Sequence, residues 1–182
     1  MPDQYQKTGA TTTGQIAAIW GVTGVCLLLG SAVYRLSIIA IDSFEFSFQW
    51  YHWLVLVVNI VFMAHSEGYK GFQNNFAPRV AARARYLKFN PRPLHVIFAP
   101  LFCMGYFYAT RKRMITAYIV LLGIVLLILI FHQISQPWRG ILDVGVIVGL
   151  SWGIVSLLIY FVQAMGPDEF EYSADVPIAE VE

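Results

Sequence analysis

Four long apolar runs constrain this chain more than any motif does. Ile16–Tyr34, Trp50–His65, Ile115–Gln133 and Ile141–Met165 hold a single charged residue among them, Asp143. Each approaches the roughly 17–25 apolar residues that a helix needs to cross a bilayer. Only 13% of the 182 residues are charged, too few to coat a soluble domain of this size. Trp20, Trp50, Tyr51, Trp53 and Trp138 lie near run ends, and Trp and Tyr rings favour the headgroup zone. The chain is therefore read as an all-α integral membrane protein.

A fifth stretch, Leu94–Thr110, is short, follows Pro93 and is interrupted by Pro100, which removes a backbone donor. Lys70, Arg79, Arg83, Arg85, Lys88 and Arg92 precede it, and Arg111, Lys112 and Arg113 follow. Lys and Arg tend to stay on the cytoplasmic side, which places both clusters on one face. The expected topology is four transmembrane helices plus one re-entrant or interfacial segment. Both termini are then cytoplasmic, with Asp42–Phe48 and Ser135–Gly140 outside. The alternative is five transmembrane helices with the C-terminus outside. A re-entrant piece requires cover from the other helices, because irregular backbone is not tolerated against lipid.

The expected organisation is a polar N-terminal segment over 1–13, a helical membrane domain over 14–165 with a basic loop at 66–93, and an acidic, disordered tail over 166–182. The first 15 residues lack the apolar core and cleavage pattern of a signal peptide, so the first run is expected to remain in the membrane. Cys26 and Cys103 lie in apolar segments and read as small hydrophobes.

Small residues mark two packing faces. Gly145, Gly149 and Gly153 recur every four residues on the last run, and Ala17, Gly21, Gly24 and Ser31 form a similar face on the first. Such stripes let helix backbones approach closely. These two helices are expected to pack together, the alternative being a homodimer through the last helix. The third run is apolar all round and should face lipid. On the second run, His52, Asn59 and Ser66 are seven apart and share one α-helical face, which reads as interhelical polar contact or as the lining of a polar path.

Little in the chain carries chemistry. His52, His65, His95 and His132 are the weak candidates for a single haem b or a metal, but His52 and His65 are thirteen apart and point in different directions on one helix. Asp143, near the start of the last helix with Arg139 four residues before it, reads as an interfacial anchor at the positive helix end. Gly68 and Gly71 fall short of a phosphate-binding loop. No catalytic residue and no cofactor are assigned.

The segment 66–93 is the most distinctive. Pro78 suits an early helix position, and Pro91 and Pro93 should end the helix near Phe89. Val80, Ala84 and Leu87 form an apolar stripe flanked by cations, as in an interfacial helix. Arg79, Arg83, Arg85, Lys88, Arg92, Arg111, Lys112 and Arg113 are expected to contact anionic lipid or a protein partner. Asp168, Glu169, Glu171, Asp175, Glu180 and Glu182 in the tail are expected to be solvated or to compete for those cations. The resulting expectation is a non-enzymatic accessory or scaffolding protein of a prokaryotic-type inner membrane, with no nucleic-acid partner. A small transporter or channel and a haem-binding redox subunit are the alternatives.

Overall fold

The computed structural model describes residues 9, 11–167 and 170–177. It is all-helical, with 80% helix and no strand among the described residues. The elements are α1 (Thr12–Ser43), α2 (Trp50–Met63), a π-helical segment (Ala64–Phe76), α3 (Ala77–Phe89), α4 (Pro93–Ile97), α5 (Ala99–Met104), α6 (Arg111–Phe131) and α7 (Trp138–Met165).

Three helices, α1, α6 and α7, are long and apolar enough to cross a membrane. α2 has 14 residues, about 21 Å at 1.5 Å per residue, which is short of the roughly 30 Å hydrocarbon core. The expected fourth crossing is therefore not a single α-helix. α2 runs directly into the π-helical segment, so Pro78 does not open a fresh helix; it occupies the second position of α3 in a helical run that begins at Trp50. Leu94–Thr110 is also no continuous helix. It forms α4 and α5, of five and six residues, which meet at Phe98 and stop at Gly105 in the left-handed conformation. α6 buries only Ala117, and its exposed Ile, Leu and Val side chains form the apolar coat that lipid requires.

The chain packs as two units. Unit 1 comprises Met1–Cys26, Ala77–Leu121 and Leu157–Glu182; unit 2 comprises Leu27–Phe76 and Leu122–Ser156. α1 and α6 begin in unit 1, and α7 ends there.

The centre of unit 1 is α3. Ala77, Val80, Ala81, Ala82, Ala84 and Leu87 are buried. α3 is thus not an interfacial surface helix with one apolar stripe; its small side chains let neighbours close in on nearly every side. Those neighbours explain the small face of α1. A methyl group on Gly14 would strike the Lys88 carbonyl, one on Gly21 the Cys103 Sγ at 2.7 Å, and one on Gly24 the Pro100 ring.

Unit 2 is built on the other small face. Methyl groups on Gly145, Gly149 and Gly153 would meet Asn59, Glu67 and Phe72 respectively. The small faces of α1 and α7 therefore do not pack on each other. Each is filled by a different partner within the chain, and the α7 stripe is not left open for a second copy. The contacting positions 59, 63, 67 and 72 are spaced by four to five. Asn59 and Met63, four apart, belong to α2, and the step of five from Glu67 to Phe72 comes from the π-helix, whose bonds run i→i+5 and which elsewhere comes mostly as single-turn bulges. It keeps Glu67 and Phe72 opposite glycines that recur every four residues. It also takes Ser66 out of the α-helical register shared by His52 and Asn59; the Ser66 hydroxyl instead donates to the Phe62 carbonyl of its own helix at 2.8 Å.

Candidate functional site

The basic segment divides into cations that bind the protein's own backbone and cations that do not. Arg83 is 1% exposed. Its Nε donates to the Phe102 carbonyl at 2.6 Å, its Nη1 to Ala174 at 2.8 Å, and its Nη2 to Phe107 and Tyr108 at 2.9 and 3.1 Å. The guanidinium lies 4.1 Å from the Phe102 ring centroid. A planar five-donor fork suits this arrangement, and a lysine ammonium could not reach all four carbonyls. Burial pushes the Arg83 pKa down to about 10, still far above neutral pH, so the group stays charged.

Arg85 donates to the Ala164 and Gly166 carbonyls at 2.7 and 3.2 Å, and Lys88 donates to Met165 at 3.1 Å. These are carbonyls at the C-terminal end of α7, which lack intrahelical partners and carry the negative end of the helix dipole. The expectation that Arg83, Arg85 and Lys88 face lipid is therefore corrected: all three bind backbone carbonyls inside unit 1. The signal for this was the run of alanines around Arg83, which allows the close approach that buries it.

The tail shares in this packing. Ala174 and Val176 are buried, and the Asp175 carbonyl accepts from the Thr110 N–H at 3.0 Å. Residues 170–177 thus pack in unit 1 through the Ala174 and Asp175 carbonyls, and the Asp175 carboxylate also favours the charged forms of Arg83 and Arg113. Asp168, Glu169, Glu180 and Glu182 lie outside the described residues.

Arg92, Arg111 and Lys112 are exposed, and their side chains make no hydrogen bond or ion pair among the described residues. Arg79 is half-buried and has an interaction of its own. Arg113 is half-buried with its Nε sealed from solvent and unpaired.

Between these cations, α4, α5 and the following loop surround a pocket of about 750 Å³. Arg92, His95 and Tyr108 supply its polar groups, and Leu94, Phe98 and Leu101 are among its apolar walls. Sequence reasoning missed this pocket. Its traces were the prolines at 91, 93 and 100, which break Leu94–Thr110 into short pieces, and the aromatics at 98, 107 and 108.

In unit 2, Asn59 donates to the Ile141 carbonyl at 2.8 Å, and the His52 ring lies 4.8 Å from Trp138 while its Nδ1 accepts from the Gln49 N–H at 3.0 Å. These two side chains tie α2 to α7. Asp143 is the sixth residue of α7 and is 2% exposed, so it is no surface anchor; Arg139 Nε stands 3.9 Å from its Oδ2.

The four histidines do not converge on a visible centre. His95 belongs to unit 1 and is buried, whereas His52, His65 and His132 belong to unit 2, with His65 and His132 exposed. Among the described residues no three His, Cys, Asp or Glu side chains group as metal ligands. No family model matches this chain, and no curated protein or solved structure is similar to it.

Proposed function

We propose that this chain is a non-enzymatic, multi-pass accessory or scaffolding protein of a cytoplasmic membrane, with a basic end that contacts anionic lipid. One observation carries the reading. Arg92, Arg111 and Lys112 are exposed and make no ion pair among the described residues, and all three belong to the unit in which α1 and α6 begin and α7 ends. Of the other exposed cations among the described residues, Arg35 and Lys70 belong to unit 2; the pair Arg111 and Lys112 at the start of α6 is the cluster that follows the positive-inside pattern. Each cation near an anionic surface contributes roughly 1 kcal/mol.

In this reading α2 and its π-helical extension together make a fourth crossing, since their 14 and 13 residues form an unbroken helical run from Trp50 to Phe76, long enough for the roughly 30 Å hydrocarbon core. Leu94–Thr110 is the re-entrant piece, and both termini are cytoplasmic. The bond from Thr110 to Asp175 supports a tail on the same side as the basic cluster. Reporter fusions at residue 112 and after residue 177 test the topology, and both should report the cytoplasm. Arg111→Gln combined with Lys112→Gln should lower the anionic phospholipid that co-purifies. A reporter at 112 on the outer face would sink the proposal.

A further inference from the structure

The pocket of unit 1 has a volume of about 750 Å³, within the 300–1,000 Å³ usual for small-molecule sites. Three features of its lining point to an occupant. Arg92 is exposed, and its guanidinium sits over the Tyr108 ring at 5.2 Å without an anionic partner among the described residues. His95 is 5% exposed, and its ring packs 4.7 Å from Phe102 and 4.6 Å from Tyr108. Its Nδ1 is sealed off with no hydrogen-bond partner. Tyr108 has φ +47°, a left-handed conformation that is an outlier for a bulky side chain and that clusters at binding sites. Arg83 fixes it there through the Tyr108 carbonyl.

These features select the chemistry. Burial, with the Arg92 and Arg83 charges, holds the His95 pKa below its ordinary value, so the ring is neutral at pH 7. A neutral imidazole has one N–H. A sealed donor is rarer than a sealed acceptor, so the proton belongs on Nε2, which then offers a donor to an oxygen. No carboxylate lines the pocket among the described residues. A small inorganic anion would leave the apolar walls wet, and an uncharged lipid would leave Arg92 unpaired.

We propose that this pocket binds one anionic phospholipid, with Arg92 pairing its phosphate, His95 donating from Nε2 to a phosphate or ester oxygen, and Leu94, Phe98 and Leu101 packing on an acyl chain. This rests on the lipid-contact reading above and assigns it a defined site. Arg83 acts as a positioning residue through Tyr108.

The test is native mass spectrometry of the full chain in detergent, titrated with an equal mixture of phosphatidylglycerol and phosphatidylcholine of the same acyl length. One phosphatidylglycerol should be retained in preference. Arg92→Gln and Leu101→Trp, the second of which fills the pocket from an exposed position, should each lower that occupancy about tenfold, the loss expected for one charge-assisted contact. His95→Gln, which keeps a donor where Nε2 stood, should retain the lipid better than His95→Leu. Thermal unfolding of each variant separates loss of binding from loss of fold. Equal retention of both lipids, or displacement by excess inorganic phosphate, would overturn the assignment. If the pocket variants keep phosphatidylglycerol while Arg111→Gln with Lys112→Gln loses it, the pocket proposal falls and the basic-surface reading stands. If no variant and no wild-type chain retains anionic lipid, both fall.

Discussion

Unit 1 and unit 2 each close around a helix with a glycine stripe, yet they are held by different forces. In unit 1 two of the α1 glycines meet groups that cannot turn aside, Gly14 the Leu87 and Lys88 carbonyls and Gly24 the Pro100 ring, while Gly21 meets the Cys103 Sγ. Its centre is fastened by cations on carbonyls. In unit 2 Gly145 and Gly153 meet outer side-chain atoms of Asn59, Met63 and Phe72, which retain rotameric freedom, and Gly149 meets the Glu67 Cβ, which moves only with its backbone. Its polar fastening at this seam is neutral: the Asn59 amide on the Ile141 carbonyl and the Trp152 indole N–H on Gln73 Oε1. Small-residue spacing alone shows that something approaches closely. Whether the approach is rigid depends on what stands opposite.

The difference predicts a graded series of effects. Arg83→Leu should be the most damaging. It removes four donated bonds, two of them buried, at Phe102 and Ala174, and two part-buried, at Phe107 and Tyr108; among the described residues only the Phe102 carbonyl keeps another donor, the Gly105 N–H. At about 1–3 kcal/mol for each buried or part-buried group left unsatisfied, the loss should exceed about 3 kcal/mol even if water reaches some of them. Arg83→Lys should recover only part of it. Chemical or thermal unfolding in detergent measures both. An unaffected Arg83→Leu variant would refute the claim that cations on carbonyls hold unit 1.

The glycines come next. Gly14→Ala forces a methyl group into backbone and should cost about 1–3 kcal/mol, the usual range for overpacking. Gly149→Ala meets the Glu67 Cβ at 2.9 Å and otherwise only contacts beyond 3.6 Å; one contact is relieved by a small shift of the helix backbone, which should cost about 1 kcal/mol, the low end of that range. Asn59→Ala should cost roughly 0.6 kcal/mol, typical of interhelical hydrogen bonds in membranes. Gly123→Leu, with nothing within 4 Å of the added carbon, should fall within about 0.5 kcal/mol of wild type. Equal melting temperatures for Gly14→Ala and Gly123→Leu would erase the contrast.

Much of the helical architecture was legible from the sequence, because runs such as Ile115–Gln133 admit almost no other structure. The second crossing was legible only in part. Ala64–Phe76 mixes glycine, amide and charged residues, so no apolar period announced its π-helical winding, and an α-helical register misplaced Ser66. The partners of the two small faces could not be read at all, since a stripe of glycines fits almost any close neighbour. The basic segment was legible as charge and illegible as position. Arg83 and Arg92 differ in burial because one lies among alanines on a helix packed on nearly all sides and the other between two prolines on a bend. The pocket was out of reach for the same reason: its polar groups come from residues 92, 95 and 108, which only the break at Phe98 and the turn at Gly105 bring together.

Cations that bind backbone and cations left for lipid differ in what their removal should cost, a difference central to how this chain is held and what it binds. Thermal unfolding with and without added phosphatidylglycerol, run on Arg85→Gln and Arg92→Gln side by side, tests it most directly, because a ligand that binds the native state raises its melting temperature. Arg85→Gln should melt lower than wild type, since the end of α7 loses one of its two cations and keeps only Lys88, and should keep the full lipid-dependent rise. Arg92→Gln should melt like wild type without lipid and lose most of the rise. The reverse pattern, or the same behaviour in both variants, would contradict the division.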